Sequence, residues 1–102
     1  MKRAILKIYG EVQGVFFRRQ AKGIADEIGL VGWVRNEPDG AVKIVAEGDE
    51  AGLKKMIEKC YTIPGRTRFV LPGIPSARTD KIEVEWQEAT GEFNEFSIKY
   101  NV

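Results

Sequence analysis

A short segment at residues 10–20, GEVQGVFFRRQ, combines two glycines, two phenylalanines and two arginines. Gly10 and Gly14 permit backbone angles that other residues resist, so successive N–H groups can converge on one point. Such donors at the start of a helix, together with the helix dipole, form an anion site whose usual occupant is phosphate. Arg18 adds a permanently charged fork that matches two phosphate oxygens. The segment therefore predicts a rigid phosphate-binding loop.

A second chemical group, the side-chain amide of Asn36, precedes a turn with the sequence EPDG at residues 37–40. Taken alone, Asn36 is an ordinary turn residue, and Arg18 or its neighbour Arg19 is an ordinary solvated helix charge. If Arg18 and Asn36 lie on the same rim of the fold, a shared binding site is favoured over these simpler interpretations. A charged fork beside a neutral amide would then suit a phosphate and a water molecule.

The elements that must position these groups follow from the spacing of apolar residues. Strands are expected at residues 3–10, 30–36, 41–48, 80–88 and 95–100. One helix begins at Phe17 and stops at Gly29, and a second follows Asp49, a candidate N-cap. The apolar stripes of the two helices contain Phe17, Ala21, Ile24, Ala25 and Ile28, and Leu53, Met56, Ile57 and Cys60. In the strand at 80–88, strict alternation places Ile82, Val84 and Trp86 on one face and leaves the other face in water.

The order of these elements predicts an α+β ferredoxin-like sandwich (βαββαβ). In this fold two helices cover one face of an antiparallel sheet of four to five strands. Residues 1–102 are expected to form a single domain. The loop at 10–18, the turn at 36–40 and the end of the second helix near Cys60 then lie on one rim. Arg18 and Asn36 are therefore expected to face the same site.

Composition narrows the chemistry and the partners. The chain has 16 Lys and Arg against 15 Asp and Glu, one cysteine and no histidine. The balanced charge disfavours nucleic acid or an anionic membrane as a partner. The absence of histidine excludes a His base, a Ser-His-Asp triad and a His-ligated metal. No apolar run approaches the roughly 20 residues that span a bilayer. We expect a soluble, cytoplasmic protein, and the near-neutral charge fits a monomer.

The two motifs resemble those of the acylphosphatase family. They are G-x-V-Q-G-V-x-F-R at the first loop and G-x-V-x-N-x-x-D-G around the turn, and both stand in this chain at the family's interval. The resemblance implies a ferredoxin-like fold and hydrolysis of the carboxyl–phosphate bond of small acyl phosphates, with no cofactor and no metal. It implies that Arg18 binds the phosphate and Asn36 holds the attacking water. It also implies that backbone N–H groups bind the phosphoryl oxygens, contributed by Gln13, Gly14, Val15, Phe16 and Phe17.

Two other functional classes compete with an enzyme. Similar domains are built into hydrogenase-maturation carbamoyltransferases, so the same fold could serve as a non-catalytic module that binds phosphate or carbamoyl phosphate. An RNA-binding sandwich would require basic and aromatic residues on the open sheet face. The strand at residues 80–88 is expected to place Glu83 and Glu85 there instead.

One segment departs from the family pattern. The connection at residues 61–80 is roughly ten residues longer than the resemblance leads us to expect, and loops of this length are often functional. One hypothesis is that it folds over the site as a lid, with Arg66 or Arg68 as a second contact to an anionic substrate. The alternative is a surface excursion or a small hairpin.

Overall fold

A computed structural model describes residues 1–13, 16–63 and 78–100 of the chain. Its elements are β1 (Lys2–Glu11), α1 (Phe17–Ile28), β2 (Val31–Asn36), β3 (Val42–Gly48), α2 (Glu50–Tyr61), β4 (Arg78–Glu88) and β5 (Phe96–Lys99). The strands form one sheet in the order β4-β1-β3-β2-β5. The predicted fold class, a ferredoxin-like α+β sandwich, is confirmed. None of the helices described is long and apolar enough to cross a membrane.

The pairing of β5 differs from the rest of the sheet. The pairs β1–β3, β1–β4 and β2–β3 are antiparallel, as predicted, but β5 runs parallel to β2. The sheet is therefore mixed. After β4, at one edge, the chain crosses to the opposite edge before it enters β5. The parallel pairing brings Lys99, at the end of β5, beside Arg35, which precedes Asn36.

The helices bury the apolar stripes that their period predicts. In α1, Phe17, Ala21 and Ala25 are buried, and in α2 the buried residues are Leu53, Met56 and Cys60. They pack against the buried face of β1, β2 and β3 in one core. Asp49 occupies the N-cap of α2 as predicted, but its side chain makes no capping hydrogen bond. Its carbonyl oxygen instead accepts the first helical bond, from the N–H of Leu53 at 3.0 Å.

The apolar face of β4 corrects one expectation. Ile82 packs against the core, whereas Val84 and Trp86 on the same face are 36% and 42% exposed. β4 is an edge strand paired with β1, and the core beneath the two helices is built mainly from the inner strands. Alternation therefore placed these side chains on one face but did not show how much of that face is covered.

A close backbone approach in β2 explains Gly32, the first residue of the second motif. Its φ is +138°, and a Cβ atom built on it would lie 1.9 Å from the carbonyl oxygen of Val45 on β3. The N–H of Gly32 donates to the carbonyl of Glu95 at 3.0 Å. Gly32 thus lets β2, which ends at Asn36, fit between its two neighbouring strands.

We expect Gly32→Ala to lower the free energy of unfolding by roughly 2–4 kcal/mol, because the added Cβ meets backbone atoms that cannot rotate away. Urea denaturation of the purified variant measures the change. Gly23→Ala is the matched control, since Gly23 lies in α1 with no atom within 4 Å of the Cβ position. That substitution should leave stability equal or raise it by about 0.5–1 kcal/mol. Equal effects of the two substitutions would contradict the account of Gly32.

A buried carboxylate, Glu47 on β3, holds the connection between β4 and β5. It accepts hydrogen bonds from the backbone N–H groups of Thr90 at 2.9 Å and Gly91 at 3.0 Å, and from Nε of Arg3 at 2.7 Å. Burial by itself raises the pKa of the Glu47 carboxyl, but these bonds outweigh it and lower the pKa from 4.5 to about 2. The network fixes the path by which the chain reaches β5.

The depressed pKa of Glu47 predicts an acid-dependent loss of stability. Its contribution is complete above pH 4.5 and is lost as the pH falls towards about 2. At neutral pH, Glu47→Gln should lower the free energy of unfolding by about 3 kcal/mol. Between pH 5 and 2 the variant should also lose less stability than the parent. Urea midpoints across this range test the prediction, with Glu58→Gln on exposed α2 surface as the control. Parallel pH profiles for parent and Glu47→Gln would contradict it.

Candidate active site

The loop between β1 and α1 begins with a break in the regular strand. The pairing of β1 with β4 shifts register between Tyr9 and Gly10, and Gly10 has a φ of +137°. Phe16, just before α1, adopts a left-handed conformation with φ 61° and is 58% exposed. Phe17 is buried and anchors the start of the helix in the core. Two other residues predicted for the loop, Gly14 and Val15, lie outside the described residues, as do Arg66 and Arg68.

Arg18 and Asn36 line the same cavity, which has a volume of about 270 Å³. Arg18 lies in the first turn of α1 and Asn36 at the end of β2. The structure therefore brings the two sequence motifs together at one rim. The end of α2 lies near the start of the first loop, because the hydroxyl of Thr79, which pairs with Gly10, donates to the carbonyl of Cys60 at 3.0 Å. The other residues that line the cavity are Val12, Phe16, Phe17, Arg19, Ile98 and Tyr100.

The end of β5 holds the side chain of Arg18. Its Nη1 donates to the carbonyl oxygen of Lys99 at 3.4 Å, and its guanidinium carbon lies 4.8 Å from the centre of the Tyr100 ring. Neither of these two partners is an acid, so neither neutralises the guanidinium charge. Arg18 is half-buried, whereas Arg19 is exposed and lies over the ring of Phe16. Of the two arginines, Arg18 is the one whose side chain contacts the end of β5.

Asn36 is half-buried at the end of β2, beside a turn with its own hydrogen bonds. The N–H of Glu37 donates to the carbonyl of Ala41 at 2.8 Å, and Asp39 Oδ1 accepts from the N–H of Ala41 at 3.0 Å. Lys7 on β1 pairs with Asp39 at 2.8 Å and ties the turn to the neighbouring strand. The turn after Asn36 is therefore closed by its own hydrogen bonds and tied to β1, and Asn36 itself pairs with Val42 on β3.

Three residues at the site have roles that the sequence did not reveal. Lys99 and Tyr100 contact Arg18, and the side chain of Gln13, expected to contribute only its backbone, bonds to the turn after Asn36. The strand pattern EFSIKY was the available signal for the first two, but it did not show which strand would be its neighbour.

Cys60 takes no part in the cavity. The thiol is fully buried on α2, and burial raises its pKa to about 12, so it is not a thiolate at neutral pH. Within residues 1–13, 16–63 and 78–100, no three His, Cys, Asp or Glu side chains are grouped so that they could hold a metal ion.

Comparison with known proteins identifies this arrangement. The family model for acylphosphatase matches residues 4–98. The chain belongs to the acylphosphatase family. An acylphosphatase of Roseiflexus sp. (strain RS-1) is 42% identical over 98 residues, which are 96% of this chain and 95% of the relative. An acylphosphatase of Methylococcus capsulatus (strain ATCC 33009 / NCIMB 11132 / Bath) is 40% identical over the full length of both chains. The crystal structure of acylphosphatase from Bacillus subtilis superposes with a TM-score of 0.83 at 33% identity, and the match covers 98% of this chain and 100% of that one.

These matches confirm the resemblance inferred from the two motifs. Relatives matched over nearly their whole length carry the name of an enzyme, so the predicted class, an acylphosphatase, is confirmed. The alternative of a non-catalytic module that binds phosphate or carbamoyl phosphate is not favoured.

Proposed function

We propose that the cavity between the first loop and the β2–β3 turn hydrolyses the carboxyl–phosphate bond of small acyl phosphates. Arg18 and the backbone of the loop at residues 13–17 bind the phosphoryl group, and Asn36 orients the attacking water. The observation that carries this proposal is that Arg18 and Asn36, from two separate motifs, line one cavity.

The proposed reaction requires neither a general acid nor a metal. Water oxygen forms a bond to phosphorus, the bond from phosphorus to the acyl oxygen breaks, and the carboxylate leaves with the electron pair. The conjugate acid of that leaving group has a pKa of about 4, so the carboxylate departs at neutral pH without protonation. The proton of the water passes to a phosphoryl oxygen of the substrate. A chain without histidine can therefore catalyse this reaction.

The catalytic task is positioning and charge stabilisation. Phosphoryl transfer through a loose transition state spreads negative charge over the equatorial oxygens of the phosphoryl group. A guanidinium and preorganised N–H donors stabilise that charge. The contacts of Arg18 with Lys99 and Tyr100 hold the guanidinium before substrate arrives, which reduces the entropy lost on binding.

Further parts of the proposal rest on the sequence. Balanced charge and the family's small-molecule chemistry favour a monomer in the cytoplasm, with no nucleic acid or membrane as partner. On the open sheet face, three basic side chains are paired with carboxylates: Lys7 with Asp39, Arg35 with Glu37 and Lys81 with Glu83. We also propose that residues 1–102 act as one domain.

The proposed activity is tested by phosphate release from benzoyl phosphate in the presence of a chelator. The expected result is turnover that chelation leaves unchanged and that inorganic phosphate, the product, inhibits competitively. A folded parent protein that binds phosphate without turnover would instead support the non-catalytic module.

A further inference from the structure

Gln13 links the two halves of the candidate site through its side chain. The residue is half-buried in the loop that leads to Arg18. Its Nε2 atom donates one hydrogen bond to the carbonyl of Glu37 and another to the carbonyl of Ala41, each at 2.8 Å. A primary amide carries two N–H donors, and both are used on the turn that directly follows Asn36. The loop and the turn are thus joined by one side chain.

The turn also has hydrogen bonds of its own, besides those from Gln13. It is closed by the bond from Glu37 N–H to Ala41 and by the bond from Ala41 N–H to Asp39. The salt bridge from Lys7 to Asp39 ties it to β1. The Gln13 amide fixes the distance between the turn and the loop. Its two acceptors belong to the turn, and its own backbone belongs to the loop.

We propose that Gln13 is a positioning residue, which sets the place of Asn36 relative to the phosphoryl group bound by the loop. This inference rests on the proposed function. In-line attack requires the water and the phosphorus to be held in a near-attack arrangement, and a displacement of about 1 Å can cost roughly a hundredfold in rate. Gln13 therefore acts on the attacking water through the turn, without touching the substrate by its side chain.

The chemistry of the contact explains why an amide is required. A glutamate of the same length would place carboxylate oxygens against two carbonyl oxygens, which repel each other and share no proton. A methionine of similar length would fill the space without donating. Both substitutions remove the link, and they differ in charge.

The experiment measures kcat, KM and the inhibition constant of inorganic phosphate for the parent, Gln13→Glu and Gln13→Met, each with Asn36 and with Asn36→Ala. We expect Gln13→Glu to lower kcat roughly 10- to 100-fold and Gln13→Met roughly 10-fold. The inhibition constant of phosphate should stay within about threefold of the parent, since the phosphate donors remain. In the Asn36→Ala background, the same Gln13 substitutions should change kcat by less than about threefold, because residues that act as a unit are not additive.

Gln87→Glu on exposed β4 is the matched control and should keep the parent values. If a charged residue at position 13 prevents folding, the uncharged Gln13→Met variant gives the same comparison. Full loss of kcat in both backgrounds, parent-like kcat, or a rise in the phosphate inhibition constant as large as the fall in kcat would each overturn the inference. A parent without turnover would overturn the proposed function and this inference together. An active parent with additive substitutions overturns the inference alone.

Discussion

Replacing Arg18 with alanine is expected to lower kcat/KM for benzoyl phosphate by at least about a thousandfold. Among the residues described, Arg18 is the charged group of this cavity whose side chain contacts the end of β5. The substitution removes that group. Arg18→Lys should recover a minor part of the loss, because an ammonium supplies the charge but not the planar fork that matches two phosphoryl oxygens. The fold should persist in both variants, since the guanidinium is half-buried at the rim and not in the core.

Lys22→Ala is the control for Arg18→Ala. Lys22 lies one turn further along α1 and pairs with Asp26 on the exposed surface, so its loss removes the same charge from the same helix. We expect its kcat/KM to stay within about twofold of the parent, as for an ordinary surface ion pair. Parent-like activity of Arg18→Ala, or an equal loss in Lys22→Ala, would remove Arg18 from the proposed mechanism.

Asn36→Ala is expected to lower kcat about 100- to 1000-fold and to leave the inhibition constant of phosphate within about threefold of the parent. The reason is that the amide orients the water, whereas Arg18 and the loop bind the phosphoryl group. Asn36→Asp should also be impaired, because its carboxylate brings a negative charge towards the phosphoryl oxygens. Steady-state kinetics with phosphate as inhibitor separate the two effects.

The control for Asn36 is Asn94→Ala, in the exposed connection before β5. It should retain parent kinetics. An Asn36→Ala variant that hydrolyses substrate at the parent rate would exclude a role for the amide in orienting water. A loss of phosphate binding as large as the loss of kcat would show that Asn36 acts in binding and not in attack.

The periodic elements could be predicted because burial repeats with the geometry of each element. The 3.6-residue period placed Phe17, Ala21 and Ala25 in the core, and the chain order placed Arg18 and Asn36 at one rim. These inferences need only local patterns and the handedness of connections. They were sufficient to bring the two motifs to one cavity.

What escaped prediction depends on partners distant in the chain. The pattern of β5 did not state that it would run parallel to β2, so the contacts of Lys99 and Tyr100 with Arg18 could not be inferred. The bonds of Gln13 end on backbone carbonyls, which every residue possesses and no sequence pattern marks. Glu47 lies in a strand whose sequence is mainly apolar. It can be buried there because the connection between β4 and β5 supplies its hydrogen-bond donors.

The exposed face of β4 shows a further reason why the sequence did not predict all of the structure. Alternation reports which side chains share a face, but the coverage of that face depends on where the helices sit across the sheet. Val84 and Trp86 keep the predicted alternation and are nonetheless exposed at the edge.

Hydrolysis of benzoyl phosphate in ¹⁸O-labelled water tests whether water attacks phosphorus in the cavity of Arg18 and Asn36. The parent protein is used with a chelator, and the same solution without protein supplies the uncatalysed background. We expect rapid turnover in which the label enters inorganic phosphate and benzoate stays unlabelled. Label in benzoate would place the attack at the acyl carbon, and a parent no faster than the protein-free reaction would show that the cavity does not catalyse hydrolysis.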